Sequence, residues 1–238
     1  MKKLFKDWNL FEIIFMFASI LVLTLCFAFS NDRDVFPFIS SIIGVIAVLM
    51  LAKGLVIAPI VNIVYCVVYS ILSIVQCYYG EAIIYIFLMI PIYAMSIVSW
   101  LRNKNPENKS TVKIKEIKGM EYLYLAIGTL VATFGFYFLL KALNTSELIV
   151  STLSLVSSAV ASYLMLRRCS YYAIGFIVND VILIILWGLA MGRSGLGYLP
   201  TVISFVVFLV NDIYGLIHWK REEKKQRLSQ VKTESVQE

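Results

Sequence analysis

Tyr172, Phe176, Asn179, Leu183 and Trp187 follow one another by four, three, four and four residues inside the otherwise apolar run 171–191. On a helix they form one stripe. An asparagine amide between rings offers a paired donor and acceptor beside flat stacking area, which suits a flat, polar, aromatic guest that is held and released unaltered. Asn62, Tyr65, Tyr69 and Gln76 make an equivalent stripe earlier in the chain; Tyr93, Ser96 and Trp100 make another, and Asn211, Tyr214 and His218 a fourth. The candidate substrate-binding residues are therefore Asn62, Tyr65, Tyr69, Gln76, Tyr93, Tyr172, Asn179, Trp187, Asn211 and Tyr214. Taken singly, each amide serves equally well to pair helices, since Asn and Gln bond across membrane bundles and stabilise them by about 0.6 to 2 kcal/mol. Four stripes in repeat-related places favour a cavity.

Asp180 and Asp212 each follow an asparagine by one residue, so each points about 100 degrees away from its stripe. An aspartate at the centre of a membrane helix costs about 2.5 to 3.5 kcal/mol, against gains of about 0.3 to 0.6 for each Leu, Ile, Phe or Val. Asp180 thus offsets several neighbours and is a candidate charge partner, for a guest or for another helix; Asp212 is read as a helix-pairing residue.

Other chemistries find little support. "GRSGLG" at 192–197 has glycines but no preceding strand, so it reads as a turn and not a phosphate loop. Cys26, Cys66, Cys77 and Cys169 form no C-x-x-C pair and read as small packing residues. His218, the single histidine, lies beside Trp219 without partners at metal-ligand spacing and reads as interfacial, as do Trp100 and Trp219 next to basic residues. No nucleophile–base constellation is present, so the chain is expected to be no enzyme, with neither cofactor nor metal.

The elements that must position these residues are membrane helices. The 238 residues are 60% hydrophobic and 15% charged with a mean hydropathy of +0.83, whereas a soluble domain carries about 25% charged residues. A membrane helix needs about 20 mostly apolar residues to cross a hydrocarbon core roughly 30 Å thick. Eight runs qualify: 10–30, 36–52, 55–77, 81–101, 121–142, 147–166, 170–190 and 197–218. The first exceeds a signal-peptide core and reads as a retained helix despite "AFS" at 28–30. The predicted class is an all-α integral membrane protein embedded in a lipid bilayer. The net charge of +6 sits between and beyond the runs, which argues for orientation signals and against nucleic-acid binding. With a cytoplasmic N-terminus, all Lys and Arg except Arg33, Lys141 and Arg193 fall on the inner side, and both termini are cytoplasmic.

A weak repeat divides the runs. "LMLAKGLVIAPIVNIV" at 49–64 parallels "LMLRRCSYYAIGFIVNDV" at 164–181, and "PIYAMSIVSWLRN" at 91–103 parallels "NDIYGLIHWKRE" at 211–222. Both three-helix units begin outside and end inside, so one crossing must separate them. The expected order is an N-terminal extra helix (1–35), a first three-helix repeat (36–101), a cytoplasmic loop (102–120), a linking helix (121–142), a second, parallel repeat (147–218) and a cytoplasmic tail (219–238). This is a 1+3+1+3 arrangement of eight transmembrane helices, with the cavity between parallel repeats. The loop reads as a solvated linker and the tail as a frayed, charged extension.

The segments "LMLRRCSYYAIGFIVNDVILIILW", "VNDIYGLIHWKRE", "VNIVYCVVYSI" and "IYAMSIVSWLRN" resemble the bacterial nicotinamide riboside transporter family, PnuC, over about residues 36 to 222. The resemblance implies a three-plus-one-plus-three bundle, like an enlarged relative of the sugar-transporting SWEET proteins. It implies facilitated diffusion of an unphosphorylated vitamin or nucleoside precursor across the bacterial cell membrane, with a cytoplasmic kinase trapping the product; a homo-oligomer is compatible with it. Family members that take nicotinamide riboside carry tryptophan, two residues, tryptophan, three residues, asparagine, where this chain has Tyr172, Gly175 and Asn179. The lost rings imply a pocket that is wider or shaped for another base, so a deoxynucleoside or thiamin carrier is the alternative. From a different class, a membrane scaffold or sensor binding a partner through 102–119 is the other reading.

Overall fold

The computed structural model describes residues 8–29, 35–75, 79–145, 147–194 and 199–237. They form eight helical rods: α1 (Leu10–Phe29), α2 (Val35–Ala52), α3 (Ala58–Val75), a rod built of α4 (Tyr79–Ile84) and α5 (Ile90–Arg102), then α6 (Met120–Ala142), α7 (Leu148–Leu166), α8 (Tyr172–Ser194) and α9 (Leu199–Gln237). Among the described residues there is no strand, only two isolated bridges, Leu55 with Thr111 and Lys104 with Val112. Six rods carry a stretch long and apolar enough to cross a bilayer; the apolar parts of the other two, Phe38–Ala52 and Ala58–Ile74, are shorter.

Between α4 and α5 the chain makes a π-helical turn, Tyr85–Met89, closed by the Ile90 N–H donating to the Tyr85 carbonyl. Pro91 explains it. Proline has no N–H to continue the ladder and its ring crowds the carbonyl four residues back, so the preceding turn widens. The widening rotates the rod by about one residue. As a result Tyr85 faces the same interior as Met89 and Tyr93.

α8 lies between α7 and α9, and α9 in turn packs on α2, which packs on α3. α6 touches mainly α7. It leaves Leu130, Val131, Phe134 and Phe138 more than 60% exposed. Apolar side chains presented outward all round a rod are what lipid requires. α1 is held by α2 and α9. There Glu12 is fully buried, pairs with Lys53 Nζ at 2.5 Å, and accepts from the Asn9 N–H and the Tyr214 hydroxyl, each at 2.7 Å.

Two expectations from the sequence are corrected. The segment after α5 is no solvated linker: Val112, Ile117 and Asn105 are buried. Its backbone is paired with the turn after α2 (Val56 N–H to Ser110 O, Val112 N–H to Gly54 O, both 3.0 Å) and with the turn after α7 (Lys115 N–H to Arg168 O, 3.0 Å). Nor is the end of α9 simply frayed. It continues the helix over the loop, where Gln226 accepts from the Ile114 N–H at 2.9 Å and donates to the Val112 carbonyl, and Arg227 pairs with Glu116. That guanidinium holds the Glu116 carboxyl below the usual carboxylate range. The physical reason is satisfaction of backbone polar groups, which an ordered loop without strands must find at a distance.

Candidate functional site

A cavity of about 50 Å³ lies at the centre of the bundle. α3 contributes Asn62, Tyr65 and Cys66; the kinked rod contributes Tyr85, Met89 and Tyr93; α7 gives Ser158. α8 adds Phe176, Asn179, Asp180 and Leu183, and α9 adds Phe205, Phe208 and Asp212. Val48 and Leu51 of α2 complete the wall.

Of the residues singled out by spacing, the fold brings Asn62, Tyr65, Tyr93, Asn179 and Asp180 together on this wall. The two amides are oriented by their neighbours. Asn179 Oδ1 accepts from the hydroxyls of Ser154 and Ser157, each at 3.1 Å, which leaves Nδ2 as its donor end. Asn62 Nδ2 donates to the Ala58 and Ala47 carbonyls at 2.9 and 3.2 Å, which leaves Oδ1 as its acceptor end. The cavity therefore has one donor amide and one acceptor amide on opposite repeats of the sequence pattern.

The other candidates lie elsewhere. Tyr172 is completely buried below the cavity, donating to the Leu51 carbonyl at 3.3 Å with its ring edge-on to Trp219. Tyr214 points to α1, bonded to Glu12 and packed on Phe11. Asn211 is fully buried off the cavity wall. Tyr69 and Trp187 belong to an aromatic layer beyond the cavity, and Gln76 falls outside the described residues. Asp212, assigned to helix pairing from its phase, faces the cavity.

Tyr85, Phe205 and Phe208 were not singled out by spacing. Phe205, Phe208 and Asp212 do share one face at i, i+3 and i+7, a signal present in the sequence. Tyr85, Met89 and Tyr93 stand at i, i+4 and i+8, the spacing of Asn179, Leu183 and Trp187, and the π turn brings Tyr85 more nearly in line with Tyr93.

Rings crowd the cavity from two sides. On one side Tyr65 meets Tyr85 and Phe208 edge-on at 6.2 and 6.1 Å, and Phe208 meets Phe205 at 5.7 Å. Gly44 of α2 makes this layer fit, because a Cβ there would stand 2.7 Å from the Phe208 ring and 2.8 Å from Tyr65. Towards the loop Tyr172, Trp100 and Trp219 pack together outside the cavity wall, the two indoles 5.8 Å apart. Both tryptophans are almost wholly enclosed, 0% and 1% exposed, which corrects the interfacial reading.

Gly175 does not widen the cavity either. Its Cβ would lie 2.7 Å from Ala161 Cβ and 2.9 Å from Ala161 Cα, so α7 and α8 meet there backbone to backbone. The position is a helix contact.

Apolar helices packed around a small polar cavity are the arrangement of membrane transport proteins. The fold has a solved counterpart: a structure described as the crystal structure of the vitamin B3 transporter PnuC matches with a TM-score of 0.83 at 23% identity, over 94% of this chain and 96% of that one. A nicotinamide riboside transporter PnuC of Neisseria mucosa (strain ATCC 25996 / DSM 4631 / NCTC 10774 / M26) is 23% identical over 227 residues, 94% of this chain and 86% of the relative. A family model described as nicotinamide mononucleotide transporter matches residues 34–221. The chain belongs to this family, the PnuC family. It is a multi-pass membrane transporter and not an enzyme.

Proposed function

We propose that this transporter carries nicotinamide riboside into the cell by facilitated diffusion, and that a cytoplasmic kinase traps the arriving riboside by phosphorylation. The family description names a mononucleotide and the Neisseria relative a riboside; the cavity discriminates between the two. Among the described residues its wall holds two carboxylates and no Lys, Arg or His. A phosphate placed there would be desolvated beside like charge, which is strongly unfavourable, whereas the unphosphorylated riboside meets amides and phenols. That observation carries the reading.

A space of about 50 Å³ holds a water or two, far less than the roughly 300 Å³ at which ligand pockets begin. The riboside therefore enters only when one ring layer opens. Tyr65, Tyr85, Phe205 and Phe208 act as one gate and Tyr172, Trp100 and Trp219 as the other. The eight rods fit a 1+3+1+3 order in the bacterial cell membrane with both termini cytoplasmic, supported by the charge asymmetry of the sequence.

A second reading, a deoxynucleoside or thiamin carrier, is favoured by one observation: neither Tyr172 nor Gly175 puts a ring on the cavity wall. Uptake of labelled nicotinamide riboside by cells producing the protein, with unlabelled competitors, separates them. Riboside is expected to compete and nicotinamide mononucleotide to leave uptake unchanged; no uptake of labelled riboside, with uptake of labelled thymidine or thiamin by the same cells, replaces the first reading with the second.

A further inference from the structure

Asp180 and Asp212 enter the cavity wall from adjacent helices and are 4% and 5% exposed. Their side chains line the same small space. Asp180 Oδ2 nevertheless has no hydrogen-bond partner, although it is buried and borders an open space. The rest of the titratable wall is the phenols of Tyr65, Tyr85 and Tyr93 and the Cys66 thiol. At the loop side Lys53 is paired with Glu12, and His218 borders a separate recess under the loop.

Helix pairing alone does not account for this. Two helices are joined as well by neutral amides, at lower cost than by two acids. Two buried carboxyls lining one small cavity do not both hold a charge unless a cation joins them. An unspent carboxylate oxygen beside tyrosine faces is, by contrast, a complete receptor for a ring bearing delocalised positive charge: the oxygen supplies the counter-charge and the rings supply their negative faces.

We propose that Asp180 and Asp212 form an anionic subsite that selects substrates carrying a permanently cationic aromatic ring, of the N-substituted pyridinium or thiazolium class. The assignment rests on the reading of this cavity as the substrate site. It names charge, and not ring size, as what the cavity recognises first, with Asn62 and Asn179 left for the polar substituents.

The test is binding to the purified full-length protein in detergent, with nicotinamide riboside, whose ring is cationic, and its reduced dihydro form, whose ring is neutral. The wild type is expected to prefer the cation by roughly tenfold or more, the least that a desolvated charge pair contributes. In Asp180→Asn and Asp212→Asn, checked for monodisperse elution, the ratio falls towards unity. Equal binding of both forms by the wild type, or an undiminished ratio in folded Asn variants, overturns the subsite and leaves the riboside reading standing. If neither form binds, the riboside reading falls, and the subsite is decided with thiamin, a cationic ring, against thymidine, a neutral nucleoside. Anything but preferential binding of thiamin then overturns it.

Discussion

Trp100 and Trp219 reach across the molecule in opposite directions: the Trp100 indole N–H donates to the Met165 carbonyl at 3.2 Å, and that of Trp219 to the Leu51 carbonyl at 3.3 Å. Trp100 stands near the end of α5 and Met165 near the end of α7; Trp219 lies on α9 and Leu51 near the end of α2. In the proposed two-repeat order, each indole from the last helix of one repeat seals the first helix of the other. Trp100→Phe and Trp219→Phe each remove one hydrogen bond and leave a small void, so each is expected to lower stability by about 1 to 2 kcal/mol. Because the rings touch, the double variant should depart from additivity. Thermal unfolding in detergent measures all three; a purely additive double variant would show that the two contacts are independent.

Much of this was readable in advance, and the exceptions have a common cause. The apolar runs predict α6, α7 and α8 closely, because a lipid-facing rod needs only local composition. Helical phase places Asn62, Tyr65, Tyr93 and Asn179 on inward stripes, and all four line the cavity, because phase holds where the helix is regular. Tyr85 lies at i, i+4, i+8 with Met89 and Tyr93, the edge of a stripe, and the π turn that swings it onto the wall has no signature in the spacing. The loop was misjudged because its partners are remote: Gln226 satisfies Ile114 from 112 residues away. Trp100 and Trp219 sit beside basic residues, which in sequence is the mark of an interface, and only the tertiary fold shows the carbonyls that bury them.

Gly175 supplies a second prediction. With Ala161 Cα only 2.9 Å from where a Cβ would be, Gly175→Ala must push α7 and α8 apart and is expected to cost about 1 to 3 kcal/mol. Gly175→Trp, which restores the ring of the family motif, should fail to yield a folded protein. Ala161→Gly in the Gly175→Ala background should recover part of the loss. Size-exclusion profiles and unfolding midpoints read these outcomes, and a stable Gly175→Trp variant would mean that this position faces open space after all.

The Glu12–Lys53 pair makes α1 more than an appendage. Both side chains are buried, and Glu12 also accepts from Tyr214 of α9. Removing one partner strands the other charge, so Lys53→Met is expected to destabilise by about 3 kcal/mol or more. The double variant Glu12→Leu, Lys53→Met removes both charges and should recover most of that loss. Tyr214→Phe loses a charge-assisted hydrogen bond and should cost about 1.5 to 3 kcal/mol. Urea-free thermal melts of the four proteins suffice. Should the double variant prove less stable than Lys53→Met, the pair contributes more than the relief of an orphaned charge.

Asn179 is where helix pairing and substrate contact must be told apart. Its Oδ1 is fixed by Ser154 and Ser157 of α7, a contact that on its own describes a pairing residue. Its place on the cavity wall with Nδ2 unspent by those serines describes a donor for a guest. The two roles predict different separations of stability from transport. If Asn179 only joins helices, Asn179→Leu and the pair Ser154→Ala, Ser157→Ala remove the same bonds, and both lower unfolding midpoint and uptake together. If its amide also binds substrate, Asn179→Leu abolishes riboside uptake at unchanged membrane abundance. The serine pair, which keeps the amide but frees its orientation, then weakens uptake by roughly tenfold, in line with the contribution of a well-aligned buried hydrogen bond. Parallel measurement of uptake and abundance in the two variants therefore decides the role, and equal losses in both assign Asn179 to the scaffold.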